Sequence, residues 1–217
     1  MDGRGVDRAL LIPYPVVDDV RAAHDEIAGA VRRHPDRFTG AALIPPFSPP
    51  AFFHDEARRC AEELGMRALK LQPQYHALNP LSPRSDFFFE TALERGWPVV
   101  CHTGAGAPFA LPSLFIAAAR RFPELLFVLG HSGGSIYYAE AIVAAEVCPN
   151  VVLELSTVAA HQAVEIAERV SADRLMIGSD LPASLPVELT KILELPIDEA
   201  LKETILWRTP RRVFDGA

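Results

Sequence analysis

Three short apolar runs of this chain each end in a side chain that can hold a metal or move a proton. Each of those side chains has a glycine close by. Trp97-Pro98-Val99-Val100-Cys101-His102-Thr103-Gly104 delivers one imidazole, and Leu126-Phe127-Val128-Leu129-Gly130-His131-Ser132-Gly133-Gly134 delivers a second. Arg174-Leu175-Met176-Ile177-Gly178-Ser179-Asp180 delivers a carboxylate. Imidazole nitrogens and carboxylate oxygens are divalent-metal ligands, and the same groups are general acids and bases near neutral pH. One histidine at a strand end is ordinarily just a hydrogen-bonded surface residue. Three such groups at equivalent positions are better explained by one shared site.

The elements that must carry them follow from the apolar pattern. Buried parallel strands read as continuous apolar runs, and such runs fall at Val6 to Ile12, Phe38 to Ile44, Arg67 to Pro73 and Val151 to Ser156, besides the three above. Helical patterns alternate with them. Asp18 and Asp19 cap one with Val20, Ala23, Ile27, Ala30 and Val31 as its stripe. Others run from Ala51 to Leu64, from Ser85 to Gly96, and over 111–122, 136–147, 158–170, 186–193 and 198–207. Seven strands in β-then-α order predict a parallel α/β fold, and no GxGxxG follows an early strand. A TIM-type β/α barrel is therefore expected, shortened to about seven βα units, as a single domain over residues 1–217. In such barrels chemistry sits where strands end.

The bulk numbers agree with one soluble domain. The chain has 49% hydrophobic and 23% charged residues, the balance of an ordinary folded protein. A net charge of −7 argues against general binding to nucleic acid or an anionic membrane. Three cysteines without a CxxC suggest free thiols in a reducing compartment. The polar N-terminus, with Pro13 and Pro15 cutting the next apolar run, is neither signal peptide nor membrane span. Cytoplasmic location is the expectation.

Further candidates lie near the strand ends. Lys70 can face the site, in a structural or substrate-carboxylate role rather than as a carbamylated metal bridge. Gln72, Gln74, Tyr75 and His76 can line the pocket, with His76 a possible replacement ligand. Glu154, on a buried strand, must be paired or aimed at the site; Ser156 and Thr157 can contact substrate. Cys101 precedes His102 and so points to the other side of the strand. His24, His34, His54 and His161 read as solvated. Residues 103–107 (TGAGA) imitate a phosphate loop weakly, without its Lys-Ser/Thr ending.

Several motifs in order also resemble the amidohydrolase-2 type of metal-dependent hydrolases. LLFVLGHSGG at 125–134, behind Arg120-Arg121-Phe122-Pro123, resembles that family's sixth strand. Residues 149–156 resemble the seventh, 173–182 the eighth and 68–73 the fourth. The resemblance implies that His102 and Asp180 bind a divalent metal, zinc first, with manganese or iron as options. It also implies that Asp180 and His131 manage protons around a metal-activated water. The family's first-strand His-x-His pair has no counterpart here, and residues 4–11 match its second strand instead. The expected function is hydrolysis of a small polar or carboxylated molecule. The alternatives are non-oxidative decarboxylation on the same residues, or a binding or assembly relative that has lost the metal. A barrel open by one unit exposes two strand edges, so a homodimer, or a terminal segment covering the gap, is expected.

Overall fold

The computed structural model describes residues 1–106 and 108–215. Ala107, the last residue of the glycine-bearing loop reading, lies outside them. Seven strands, β1 (Ala9–Leu11), β2 (Phe38–Ala42), β3 (Ala68–Leu71), β4 (Val99–His102), β5 (Phe127–Gly130), β6 (Val151–Glu154) and β7 (Leu175–Met176), lie side by side in chain order. Every neighbouring pair is parallel. Parallel neighbours need a long crossover, supplied by α1 (Val20–Arg33), α2 (Pro50–Glu62), α3 (Asp86–Glu94), α4 (Phe115–Arg121), α5 (Gly134–Val147) and α6 (Ala160–Arg169). After β7 come α7 (Leu185–Glu194), α8 (Glu199–Glu203), a π-helical turn at Thr204–Arg208 and α9 (Thr209–Phe214). The result is the expected barrel with one unit missing.

The two faces of the curled sheet are filled differently. Outward residues Leu69, Leu71, Val99, Cys101, Phe127, Leu129, Val151, Leu153 and Leu175 pack in one large cluster with the helices, including Phe53, Phe88, Phe89 and Phe115. Each fully buried phenylalanine stabilises the fold by about 1.5–3 kcal/mol. The inward layer is smaller: Ala41, Ala68, Val100, Val128, Val152 and Met176 close around Val213 of α9. Because side chains alternate with period two, the next inward layer above Ala68, Val100 and Val152 is Lys70, His102 and Glu154. The fold thus lifts three ionisable side chains onto an apolar floor.

Local chemistry explains some element ends. Asp19 caps α1, its Oδ1 accepting from Ala22 N at 3.0 Å, which satisfies a free helix N–H. Pro210 of α9 follows closely on the π-helical turn at Thr204–Arg208, where the regular α-helical hydrogen-bond ladder is already interrupted. Helix α9 lies beyond the expected closing helices. The last strand is much shorter than the run 174–180 implies: the ladder ends at Met176, and Ile177 N donates instead to Ile205 O at 3.1 Å. The C-terminal helices therefore cover the β7 side, and Arg8 reaches Asp215 at 3.1 Å to tie the β1 end to α9. Among the described residues β1 and β7 do not pair with each other.

One reading of the histidines is corrected. His24 is not solvated; it is fully buried, because Glu56 and the Leu43 amide satisfy both of its ring nitrogens.

Candidate active site

The strand ends bring His102, His131 and Asp180 to one mouth. His102 ends β4, and its ring meets that of His131 edge-on, with centroids 4.9 Å apart. Across from His131 stands Asp180, its Oδ1 3.8 Å from Nε2. The imidazole of His131 is buried, whereas Asp180 is about half exposed. His102 turns Nε2 onto the Ala105 carbonyl at 2.6 Å, so that nitrogen carries a proton and Nδ1 keeps the lone pair. Burial, with His131 and Lys70 close by, pulls the His102 pKa down to about 4 against the opposing Ala105 contact. It is neutral at physiological pH.

Backbone strain concentrates here. Among the described residues, His131, Ser132, Thr157, Asp180 and Ala77 are the non-glycine residues with positive φ (68°, 44°, 64°, 59° and 48°), and all lie in the loops that follow strands. Such conformations cost roughly 1 kcal/mol or more each and persist only where neighbours enforce them. Thr103 supplies one prop: its hydroxyl donates to Gly130 O at 2.7 Å and accepts from Gly133 N at 2.8 Å. Glu154 supplies another, accepting from His131 N at 2.8 Å on Oε2 and from Ser156 N at 2.8 Å on Oε1.

Lys70 shares a register pair with Val100 and faces the barrel interior. Among the described residues it forms no ion pair, and burial lowers its pKa against the pull of Glu154 and Asp180. Gln72 and His76 are buried beyond it, with Gln72 Oε1 and His76 Nε2 lacking partners. The Gln72 amide donates to His76 Nδ1 at 3.3 Å, and burial, with Lys70 second, drops the His76 pKa to about 4. Tyr75 is half exposed on the outside of that loop, and Gln74 is exposed and backs onto Gly106. Thr157 is exposed, donating its amide to Glu188 Oε1 at 3.0 Å.

The family model for amidohydrolases matches residues 15–216. The chain belongs to the amidohydrolase family. Solved structures repeat the fold of this amidohydrolase closely. A dihydroxybenzoic acid decarboxylase from Polaromonas sp. JS666, with bound manganese and 2-nitroresorcinol, is 19% identical with a TM-score of 0.83, covering 99% of this chain and 83% of that one. A 2,6-dihydroxybenzoate decarboxylase from Rhizobium is 20% identical with a TM-score of 0.79, covering 99% and 86%. A 4-oxalomesaconate hydratase from Rhodopseudomonas palustris is 20% identical with a TM-score of 0.81, covering 99% and 78%. No curated protein matches by sequence.

The donors at the mouth do not make a closed metal centre. A catalytic zinc site usually has three protein ligands. Here nitrogens of His102 and His131 and an oxygen of Asp180 do not all fall within 4.8 Å of one another. Glu154 adds nothing, since both oxygens are engaged by protein groups. Among the described residues a three-donor cluster of the right size occurs elsewhere, at His24, Glu56 and Cys60. Its geometry is that of a brace. His24 Nε2 accepts from Leu43 N at 2.9 Å, so Nδ1 bears the proton and donates to Glu56 Oε1 at 2.7 Å. Arg59 and Arg21 already neutralise that carboxylate, at 2.8 and 2.9 Å. A cation there would face two guanidinium groups. No sequence signal marked this brace beyond a histidine in a helix.

A groove of about 790 Å³ lies between α6 and α7, lined by Val158, Val164, Val187 and Lys191 among others. It is larger than a cavity of about 410 Å³ beside Arg8 and Arg211, and neither contains His102, His131, Asp180 or Lys70. Among the described residues, no helix is long and apolar enough to cross a membrane.

Proposed function

We propose that this amidohydrolase is an acid–base enzyme for a small carboxylated molecule, and that non-oxidative decarboxylation is the reaction it suits best. One observation carries the reading: His131 Nε2 and Asp180 Oδ1 face each other 3.8 Å apart at the mouth, above Lys70, which forms no ion pair among the described residues. Lys70, half-buried on the inward face of β3, attracts the substrate carboxylate, since a partly desolvated cation is stabilised by an arriving anion. His131 Nε2 and the Asp180 carboxylate stand 3.8 Å apart, too far to share a proton directly, and either group can carry one to the mouth. That proton passes to the substrate carbon bearing the carboxylate. The electron pair of the breaking C–C bond forms the new C–H bond, and CO₂ leaves. The names of similar structures, two decarboxylases among them, support this choice, although their identity to this chain speaks only for the fold.

His102 and Asp180 are the residues we propose for contact with a divalent ion, zinc or manganese. With two donors the set is incomplete, and no step above runs through the metal. Hydrolysis is the second reading, favoured by the same His131–Asp180 pair, which would take a proton from an attacking water instead. A dimer placing a second chain against the open barrel is a further proposal, checked by sedimentation.

The test is a panel of hydroxylated aromatic acids and small amides and esters, assayed for CO₂ release and for cleavage, with manganese and zinc supplied. Turnover of an acid with loss of about 10²-fold or more in Asp180→Asn and His131→Gln is the expected result. Cleavage without CO₂ release would favour hydrolysis. Saturable binding of acids with no turnover under any condition would favour the inactive binding relative and end the enzyme reading.

A further inference from the structure

We infer that Glu154, acting through Ser156, is a positioning residue that decides which nitrogen of His131 carries the proton. Glu154 sits on the inward face of β6 and is almost buried. Its Oε2 accepts from both His131 N at 2.8 Å and Ser156 Oγ at 2.9 Å, while Oε1 accepts from Ser156 N at 2.8 Å. Every one of these partners is a donor, so the ionised carboxylate, which only accepts, suits the place.

The serine hydroxyl has one hydrogen, and Glu154 takes it. The lone pairs of Ser156 Oγ are then what His131 Nδ1 meets at 2.7 Å, so Nδ1 must carry a proton. The direct distance from Nδ1 to Glu154 Oε2 is 3.8 Å, too long for a hydrogen bond; the influence passes through the serine. Nε2 therefore presents a lone pair toward Asp180 when the ring is neutral. The same strand also holds the backbone of the histidine turn, because Ser132 Oγ donates to Glu154 O at 2.8 Å. Together with the Thr103 contacts, these hold His131 and Ser132 at φ 68° and 44°.

This inference rests on the reading of His131 as the proton carrier, but its test does not need turnover. The full chain is labelled with ¹⁵N-histidine, and long-range proton–nitrogen correlation is recorded at a pH where the ring is neutral. The His131 signals are assigned by their loss in His131→Gln. In the unsubstituted chain the proton is expected on Nδ1, with Nε2 of pyridine type. Ser156→Ala is expected to release the ring to the Nε2–H form or a mixture, and Ser156→Thr to return it to Nδ1–H. A proton on Nε2 in the unsubstituted chain would overturn the assignment, as would a tautomer unmoved by Ser156→Ala. If Ser156→Ala fails to fold, the tautomer of the unsubstituted chain and of Ser156→Thr still decides. The expected tautomers with no turnover of any compound would sink the proposed reaction and leave this inference standing.

Discussion

Gly178 stands directly against the carboxylate of Glu154: a Cβ at 178 would lie well inside van der Waals contact with Oε1, and close to Cδ and Cγ as well. The chain gives up a side chain just beyond β7 so that Glu154 can keep its place beside β5. Overpacking of this kind typically costs about 1–3 kcal/mol. Gly178→Ala is expected to lower stability by that order in urea unfolding. In a Glu154→Ala background, where the opposing atoms are gone, the same substitution should cost much less. An equal penalty in both backgrounds would show that the two residues do not oppose each other.

Acid should weaken the fold before most carboxylates titrate. Burial holds the His76 pKa down at about 4 and moves that of His24 in the same direction. An unfolded histidine titrates near 6.5. Between the two values the unfolded chain binds more protons than the folded one, so stability rises with pH across that window and is lost as pH falls through it. For His76 the full effect is roughly 3 kcal/mol. Denaturation series at several pH values should show this slope between about 6.5 and 4, and His76→Gln should make it shallower, with His102 and His24 supplying the rest. An unchanged slope in His76→Gln would mean that the imidazole is protonated when folded.

The cysteines should be silent in the native state. Cys60, Cys101 and Cys148 are all free and buried, and burial raises each thiol pKa. Thiolates are the reactive form. A thiol reagent at pH 8 is expected to label none of the three quickly in native protein and all three in denaturant. Rapid native labelling of Cys101 would contradict its outward packing.

Metal binding can be divided between two places. If manganese or zinc is held at the mouth, saturable binding should be lost in His102→Ala and Asp180→Asn and kept in Cys60→Ser. Two protein donors predict weak binding that chelation reverses, with little change in melting temperature. Calorimetric titration with each metal checks this. Binding that disappears only in Cys60→Ser would move the ion to the brace between α1 and α2.

The positions of the strands and the inward direction of Lys70, His102 and Glu154 were legible in the sequence. An apolar run and a two-residue period fix a face without reference to anything distant. The same alternation put Cys101 on the outer side, where it packs. That His102, His131 and Asp180 share one mouth was also expected from their equivalent places at strand ends. What no local pattern carried was the set of backbone turns and hydrogen-bond partners that bring them there. His131 and Asp180 meet because two strand ends turn into positive φ, and Glu154 reaches the residue after β5 from β6 because Gly178 makes room. His24 read as solvated since a helix shows only its own stripe. Its partners lie 32 and 19 residues away, and only the folded chain brings Glu56 and the Leu43 amide to it. Period and hydrophobicity act over a few residues; hydrogen-bond partnership and steric room are properties of the packed whole.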